Sequence, residues 1–447
     1  MQQELRVAKR GAGRSNDVYR TPAVVCDADK LSQIAIIQEL GRLGIPVVAL
    51  AGSPRAIGFG SKYLARRIVC PIPSHDSEYV PFLVANAPRG AIFYSNDANA
   101  ENIARGAEQL RANGFSLLIS TAETLERVVE KDRLYRTGLE CGVAVPKCRL
   151  VSSAAELEAS VDEFGLPLIL KSTNLAGGVY RFLSSPEDAG SVFREMNDIV
   201  HGQSVRHRNA RLMAQQWIRQ SNTALWNFNA CAERGEILSF SMGRRIRTDV
   251  RPDGTLGSVL LYGRSELNPA ILERNARLLK HIEFSGIVET EWSESGGDPG
   301  SIYLYDFNPR PSGNIRWAFK SGVSLAEQYY RAALGLSRRR QAMKTGTVYA
   351  KVLYRTSDMV ESFSNPRLSF FRKLMVLRED LAAVVRFRRH AVDVLDPRDL
   401  GPTFRAVAEL GPILARSFRS AALRLMSGWA RPSVQSTTNR ADHVAIP

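Results

Sequence analysis

Two acidic side chains on neighbouring predicted strands are the residues of this sequence best suited to chemistry. Residues 287–292 and 302–307 have strand-like composition, and the segment SESGGDPGS between them is turn-forming. A symmetric antiparallel pairing about this turn sets Glu291 directly opposite Asp306, with Cβ atoms about 4.5–5.5 Å apart. The two carboxylates are therefore predicted to be cross-strand neighbours.

The neighbours of these acids indicate what could neutralise them. Glu289 shares a face with Glu291, and Asn308 and Arg310 share a face with Asp306 if the strand stays extended. Mg²⁺ prefers carboxylate and amide oxygens, takes one or two carboxylates, and completes its coordination with water and substrate phosphates. This set predicts a magnesium-dependent nucleoside triphosphate site. The open alternative is a solvated hairpin edge whose acids face water.

The sequence gives little support for a metal bound by histidine or cysteine, or for a nucleophilic side chain. The six histidines form no HExxH or HxH cluster, and the five cysteines contain no CxxC pair. We therefore expect no histidine-ligated metal, no structural zinc, and cysteines that are reduced and mostly buried. No Ser-His-Asp or Cys-His candidate stands out, which is consistent with chemistry that needs no nucleophilic side chain.

The elements before this hairpin begin with a strand–helix alternation typical of an open parallel sheet. The predicted elements are a strand at 22–26, a helix at 31–43, a strand at 47–50, a strand at 91–95, a helix at 98–111 and a strand at 115–120. We expect a Rossmann-like domain, but its first turn, CDADKLSQ, lacks the GxGxxG of dinucleotide sites. Asp27 and the turn 95–97 lie at strand ends, so they are candidates for small-substrate contact or, alternatively, helix N-caps.

A second region contains a candidate phosphate lid. A helical pattern over 122–138 precedes a strand ending in Lys171, and a small-residue stretch over 173–178 leads into a returning strand over 179–183. Loop amides and the lysine ammonium can converge on one volume and hold phosphate. A structural role for Lys171 is the equally weighted alternative.

Length and composition set the wider limits. The chain has 447 residues and 49.5 kDa, with 44% hydrophobic and 23% charged residues. This length predicts two to four domains of an ordinary globular protein. No apolar run suggests a transmembrane span or a secretory signal, so we expect a cytoplasmic protein.

The basic charge belongs mainly to the C-terminal region. Residues 336–447 carry 20 Lys and Arg against 9 Asp and Glu, and the whole chain has a net charge of +15. Because the rest is nearly balanced and no recognition module is present, we expect no nucleic-acid partner. Helical spacing over 370–387 and 412–429 predicts basic amphipathic helices that pack on the body or contact a membrane surface or a protein.

Several segments together resemble the ATP-grasp superfamily, closest to predicted ATP-dependent carboxylate-amine ligases such as D-aspartate ligase, with a fold like that of carbamoyl-phosphate synthetase. The resemblance covers about residues 22–336. It is carried by GRLGIPVVAL followed by SKYLAR, by VEKDRLYRTGLECGVAVPKCRLV, by YDFNPRPSG and by SGVSLAEQYYRAALG. The fold class it implies is α/β and α+β, with a Rossmann-like pre-ATP-grasp domain, a two-lobed ATP-grasp fold and a mostly helical basic C-terminal tail. The implied boundaries are a disordered leader at 1–19, the first domain at 20–120, the ATP-grasp domain at 121–336 with its lid lobe at about 146–214, the helical region at 337–432 and a disordered tail at 433–447.

The resemblance also implies roles for individual residues. Those implied to bind ATP are Lys131, Lys171, Asn174, Gly177, Gly178, Gln215, Gln216 and Ile218. Glu291, Asp306 and Asn308 match the metal triad, and Arg310 matches the arginine that faces the transferred phosphoryl group. Arg245 and Arg247, predicted on one strand face, are candidates for the basic residue beside that phosphate, although alternating arginines also occur on solvated strands. Asp306 and Gln215 stand where the family usually has glutamate.

The implied function is an ATP- and Mg²⁺- (or Mn²⁺-) dependent ligase. It would activate a small carboxylate as an acyl phosphate for attack by an amine or similar nucleophile, releasing ADP and phosphate. Small-molecule substrates are the expected partners, with a homodimer and a peripheral membrane or protein contact as further options. The alternative is a catalytically degenerate ATP-binding scaffold or regulator held at the membrane by its tail.

Overall fold

The computed structural model describes residues 19–173, 180–202, 210–218, 225–250, 256–294, 301–354, 368–386 and 388–412. Within these ranges the chain forms three β-sheets of four, four and seven strands. No helix in the described parts is long and apolar enough to cross a membrane. All five cysteines are free thiols, and three of them are buried.

The first sheet is the predicted parallel one. Its strands are β1 (Ala23–Val25), β2 (Val47–Ala51), β3 (Leu64–Val69) and β4 (Ala91–Phe93), in the order β3-β2-β1-β4. The helices along it are α1 (Leu31–Arg42), α2 (Tyr79–Asn86), α3 (Asp97–Arg105) and α4 (Ala107–Ala112). In α1 the predicted stripe of Ile34, Ile37 and Leu40 is fully buried, so burial of one helix face holds α1 on the sheet.

Three local predictions for this region differ from the structure. The strand expected at 115–120 is reduced to one parallel bridge between Ala91 and Ser116. The helix expected at 98–111 is split at Gly106, where an added Cβ would meet Val80 at 2.8 Å. Strand β3 was not predicted, because its alternation includes the exposed pair Arg66 and Arg67.

Two helices connect the first sheet to the second. The helix predicted over 122–138 is divided into α5 (Ala122–Val129) and α6 (Lys131–Glu140). Glu130, between them, has an extended backbone. The break makes Lys131 the first residue of a new helix.

The second sheet is antiparallel and has its own small core. Its strands are β5 (Cys148–Val151), β6 (Leu168–Ser172), β7 (Tyr180–Leu183) and β8 (Leu212–Gln216), in the order β5-β8-β6-β7. Helices α7 (Ala154–Phe164) and α8 (Ala189–Gly202) pack on it through a cluster that includes Leu157, Leu168 and Met196. This unit spans residues 148–216, and the lid lobe was predicted at about 146–214.

The third sheet carries the predicted hairpin. Its strands are β9 (Leu225–Glu233), β10 (Glu236–Val250), β11 (Leu256–Ser265), β12 (Gly286–Glu294), β13 (Ile302–Asn308), β14 (Val348–Ala350) and β15 (Ala391–Val392), in the order β13-β12-β9-β10-β11-β14-β15. The associated helices are α9 (Pro269–His281), α10 (Ile315–Lys320), α11 (Leu325–Ala333) and α12 (Phe370–Val385). All neighbouring strands pair antiparallel except β14 with β15.

The C-terminal region is more closely integrated than a helical tail. Strand β14 pairs with β11, and β15 pairs with β14, so this region extends the third sheet. The helix predicted over 370–387 is present as α12, and residues 401–412 form a further helix. The helix predicted over 412–429 lies almost wholly outside the described residues.

One buried carboxylate joins this C-terminal region to the first sheet. Asp399 accepts hydrogen bonds from Ser61 Oγ at 2.6 Å, from the Lys62 amide at 2.9 Å and from Gln38 Nε2 at 3.1 Å. Beyond Asp399, an added Cβ at Gly401 would meet the Gly60 carbonyl oxygen at 1.9 Å. The segments around Gly60 and Gly401 are therefore packed together without space for a side chain.

Candidate active site

Polar residues line adjacent positions of three neighbouring strands in the third sheet. Glu291 lies opposite Asp306 on β13, as the sequence predicted, and opposite Asn227 on β9. Glu289, two residues earlier, lies between Asn308 and Asn229 in the same way. The register shifts immediately after Glu291, so the symmetric pairing holds only at the end of the hairpin that carries the acids.

Glu291 is held by a buried arginine. Arg245 of β10, only 3% exposed, places Nη2 at 2.5 Å from Glu291 Oε1. Its Nε donates to Asn227 Oδ1 at 2.5 Å, and Asn227 Nδ2 donates to Glu289 Oε1 at 2.7 Å. Asn227 therefore links the arginine to the second acid of the same strand.

Glu289 also receives the arginine that follows β13. Arg310 Nη1 donates to Glu289 Oε2 at 3.2 Å, and Arg310 Nε lies 3.6 Å from Asp97 Oδ1. Asn314 Nδ2 donates to Glu289 Oε1 at 3.1 Å. Asp97 is the first residue of α3, one of the helices along the first sheet. Arg310 therefore connects Glu289 to that part of the fold.

The two predicted phosphate lysines lie on the other side of Asp306. Lys131 Nζ is 2.6 Å from Asp306 Oδ1. The Lys131 amide donates to the Thr173 carbonyl at 3.0 Å, which joins the start of α6 to the end of β6. Lys171 Nζ donates to the Tyr135 hydroxyl at 3.1 Å and is electrostatically coupled to Asp306 and Lys131. Both lysines thus face the same acid.

The charges of this cluster perturb one another. Burial, with repulsion from Glu289 and Asp306, outweighs Arg245 and raises the pKa of Glu291 to about 7. Burial also opposes ionisation of Asp306, but Lys131, Lys171 and Arg310 hold its pKa below the usual range. Burial and the neighbouring Lys131 lower the pKa of Lys171 to about 7. Acids and bases at one point with shifted pKa values are typical of functional sites.

The strand that carries Gln215 and Gln216, both implied to bind ATP, reaches the same region. Gln215, at the end of β8 and 1% exposed, accepts a hydrogen bond from the Tyr135 hydroxyl through Oε1 at 3.0 Å. The resemblance implies that Gln215 binds ATP, and in this structure its side-chain oxygen accepts from Tyr135. Gln216 ends the strand, and Ile218 follows as a buried residue.

Arg247 does not join the cluster. Its guanidinium pairs with Glu379 and, at 3.0 Å, with Asp380 of α12, and it stacks on Tyr262 at 4.7 Å. The pairing of β10 with β11 shifts between Arg245 and Arg247. Arg245 and Arg247 were both candidates for the basic residue beside the transferred phosphate. The prediction is wrong for Arg247, which lies beside α12. Three predicted lid residues, Asn174, Gly177 and Gly178, lie outside the described residues.

The donor set is suited to a metal that is shared with a substrate. Within the described ranges, no three histidine, cysteine or acidic side chains form a ready-made metal site. Mg²⁺ needs only one or two carboxylates when phosphates and water supply the other ligands. Glu291 and Asp306, opposite each other and with opposed pKa shifts, together with the Asn308 amide, fit that requirement.

Sequence reasoning missed Tyr135, Asn227 and Asn314. A signal for Asn227 was present in the NFN pattern of β9, where Asn227 and Asn229 share one face of an otherwise apolar strand. Polar residues two apart in a buried strand indicate a polar network on that face. Tyr135 and Asn314 carry no comparable pattern.

The comparison with curated proteins is distant. No protein-family model matches the sequence. The C-terminal section of the carbamoyl phosphate synthase large chain of Aquifex aeolicus is 20% identical over 305 residues, which cover 67% of this chain. The chain spans about half of that section, 52% of its length.

Solved structures match over about three quarters of the chain. N5-carboxyaminoimidazole synthetase from Staphylococcus aureus superposes with a TM-score of 0.56 at 12% identity, covering 73% of this chain and 81% of the other. The biotin carboxylase domain of 2-oxoglutarate carboxylase from Hydrogenobacter thermophilus, in complex with MgADP, ADP and bicarbonate, superposes with a TM-score of 0.58 at 16% identity, covering 74% and 73%. The chain has the ATP-grasp fold.

The predicted resemblance is thereby confirmed for the fold. Lys171 of the second sheet interacts electrostatically with Asp306 of the third. The roles predicted for individual residues remain predictions, which the contacts above make testable.

Proposed function

We propose that the protein is an ATP-dependent ligase that joins a small carboxylate to an amine or a similar nucleophile. One observation carries the proposal: Glu291 and Asp306 are directly opposite each other, and Lys131, Arg245 and Arg310 converge on them and on Glu289. Such a cluster can cancel the charge of a triphosphate and align its oxygens, which is the main requirement of phosphoryl transfer.

Two lysines would receive the phosphates of ATP. Lys131 stands at the N-terminus of α6, where the helix dipole also favours an anion. Burial and Lys131 lower the pKa of Lys171 to about 7, and a nearby phosphate would favour its charged form. In this proposal Lys131 exchanges the Asp306 carboxylate for a phosphate oxygen.

The exchange leaves Asp306 available for a cation. Glu291, Asp306 and Asn308 would hold Mg²⁺ or Mn²⁺, whose chemistry is to neutralise charge on the transferred phosphoryl group. Arg310 and Arg245 flank these residues and would stabilise the same charge from the protein side. Because Arg245 is buried and fixed by Asn227, it needs little reorganisation during the reaction.

The proposed reaction proceeds in two transfers. An oxygen of the substrate carboxylate attacks the γ-phosphorus of ATP, the bond to the bridging oxygen breaks, and ADP leaves. The amine then attacks the acyl carbon and loses a proton, and phosphate leaves as the amide forms. Both steps consist of positioning and charge stabilisation, so no covalent bond to the enzyme is required.

The topology of the first sheet indicates where the organic substrates would bind. Since β2 and β3 lie on one side of β1 and β4 lies on the other, a crevice opens at the carboxyl ends of β1 and β4. Asp27 is at this point and accepts hydrogen bonds from Ser95 Oγ and, at 2.6 Å, from Ser74 Oγ. Asp97 borders the same crevice and faces Arg310, so the crevice leads toward the acidic pair. Asn96, not Asp97, caps α3.

A hydroxylamine assay tests the proposed function. The full chain, ATP and Mg²⁺ are incubated with hydroxylamine and a panel of small carboxylates, and ADP, phosphate and hydroxamate are measured. Hydroxamate and ADP should form in equal amounts with at least one acid. Measurable ATP binding without any of these products, under every condition, would favour the scaffold instead.

We also propose a peripheral contact for the C-terminal basic region. Its excess of arginine favours an anionic membrane or an acidic protein surface. Self-association as a homodimer is a separate proposal, which light scattering of the full chain would test.

A further inference from the structure

Helix α12 presents an apolar face to solvent. Five of its large apolar side chains are exposed, among them Phe371 at 79% and Val385 at 71%. The complete set is Phe371, Leu374, Met375, Leu381 and Val385. Spacings of three and four residues place them on one stripe along about four helical turns. Exposed apolar surface of this extent indicates an interaction site.

The opposite face of α12 accounts for its attachment to the body. Val376 and Ala383 are buried, and Asp380 is buried beside Arg247. Glu379 pairs with the same arginine. Both acids of the helix therefore pair with Arg247 of β10, but only Asp380 is buried there, whereas the Glu379 side chain remains 45% exposed.

The border of the apolar stripe is cationic. Five arginines on or near it are exposed, and Lys373 is half-buried. The arginines are Arg372, Arg378, Arg386, Arg388 and Arg389. An apolar stripe beside several cations, whose one exposed acid, Glu379, is paired with Arg247, complements an anionic lipid surface above its acyl chains.

A cavity beside α12 adds a more specific feature. Its volume is about 360 Å³, and its polar lining consists of Arg378, Arg386, Tyr262, His390 and Glu379, the last of which is paired with Arg247. His390 Nδ1 accepts from the Val348 amide at 3.3 Å, so the neutral ring carries its proton on Nε2, a hydrogen-bond donor. Arg378, Arg386 and His390 can each donate hydrogen bonds at this cavity, which suits a phosphate group.

We propose that α12 and this cavity form a docking surface for an anionic membrane, in which the apolar stripe enters the interface and Arg378 and Arg386 receive a lipid phosphate. The inference specifies the membrane contact proposed above and is independent of the ligase reaction. An anionic lipid surface is the occupant that matches both features, because arginines lie beside the exposed apolar side chains and also line the cavity.

Flotation of the full chain with vesicles tests the surface. At low salt the protein should float with vesicles of phosphatidylcholine and phosphatidylserine but not with phosphatidylcholine alone. Phe371→Ser should weaken binding about tenfold, because one large apolar side chain no longer enters the interface. Arg378→Ala and Arg386→Ala should each weaken it about fivefold.

Matched variants distinguish binding through this surface from nonspecific binding through any exposed arginine or apolar side chain. Leu139→Ser removes an apolar side chain that is 67% exposed on α6, and Arg111→Ala removes an exposed arginine on α4. Both should float like the wild type, and Phe371→Ser should keep wild-type ADP formation. Equal loss in test and control variants would overturn the inference, as would wild-type flotation that Phe371→Ser leaves unchanged.

Two further outcomes also count against a membrane. Binding of inorganic phosphate that depends on Arg378 and Arg386, without flotation of the wild type, would assign the cavity to a soluble anion. Self-association that Phe371→Ser abolishes, again without flotation, would assign the stripe to a second copy of the chain. Failure of flotation leaves the hydroxylamine assay unaffected, so the two proposals can fail separately.

Discussion

Replacing Arg245 with methionine is the most direct test of the acidic pair. The variant removes a buried charge 2.5 Å from Glu291 Oε1 and keeps most of the side-chain volume. At that distance and an effective dielectric constant of 20, the pair attracts by roughly 6–7 kcal/mol before desolvation is subtracted. Breaking a buried ion pair typically costs about 3–5 kcal/mol. Since Glu291 is partly exposed, we expect a loss of about 3 kcal/mol in the free energy of unfolding.

A double-mutant cycle isolates the interaction. Urea denaturation would be measured for the wild type, Arg245→Met, Glu291→Gln and the double variant. We expect the double variant to be more stable than the sum of the single losses predicts, with a coupling energy of about 2 kcal/mol. The single variant Arg245→Met should also lose stability as pH rises from 5 to 8, because the folded protein raises the pKa of Glu291 and retains a proton that the unfolded chain releases.

The same variants can test whether Glu291 and Asp306 bind Mg²⁺. Without nucleotide, Mg²⁺ should raise the unfolding midpoint of Arg245→Met more than that of the wild type, because the cation takes over the neutralisation of Glu291 and Asp306. It should have no effect on the double variant beyond that of added salt. A coupling energy near zero, or an indifference of Arg245→Met to Mg²⁺, would refute the assignment of these acids.

Three other predictions concern the neighbouring residues. Asp306→Asn should lower ADP formation at least about 100-fold with little change in the fold, and Asp306→Glu should retain activity; chromatography of ADP measures both, and an active Asp306→Asn would remove this residue from the site. The protein should take up a proton when it binds nucleotide between about pH 7 and 9, because phosphate raises the depressed pKa of Lys171. Calorimetry in buffers of different ionisation enthalpy detects this uptake. The variant Lys171→Arg should eliminate it. Asn227→Ala should reduce kcat about tenfold while nucleotide affinity stays unchanged, since Asn227 positions Arg245; an equal loss of affinity, seen by titration of ADP, would indicate a merely structural role.

The hairpin was predictable because its turn and its side-chain alternation define one register. Glu291 and Asp306 are equally distant from the centre of the turn-forming segment, and period-two alternation then brings Glu289 and Asn308 together. The first sheet was predictable for a similar reason, since β1, α1 and β2 each bury a continuous apolar pattern.

The contacts between distant strands were not predictable in this way. Asn227 lies 62 residues from Glu289 and reaches it only through the pairing of β9 with β12. Likewise, the position of Arg247 follows from a register shift in β10 and from acids on α12. No local periodicity contains this information, because it depends on which strands become neighbours.

Asp399 has a consequence for how the protein is made. Its carboxylate satisfies donors from Gln38, Ser61 and Lys62, which belong to the part of the chain synthesised first. Those donors have no native acceptor until nearly 400 residues have left the ribosome. The first sheet therefore reaches its final stability only late in translation, and we expect that a ribosome stalled before residue 399 exposes a protease-sensitive N-terminal half.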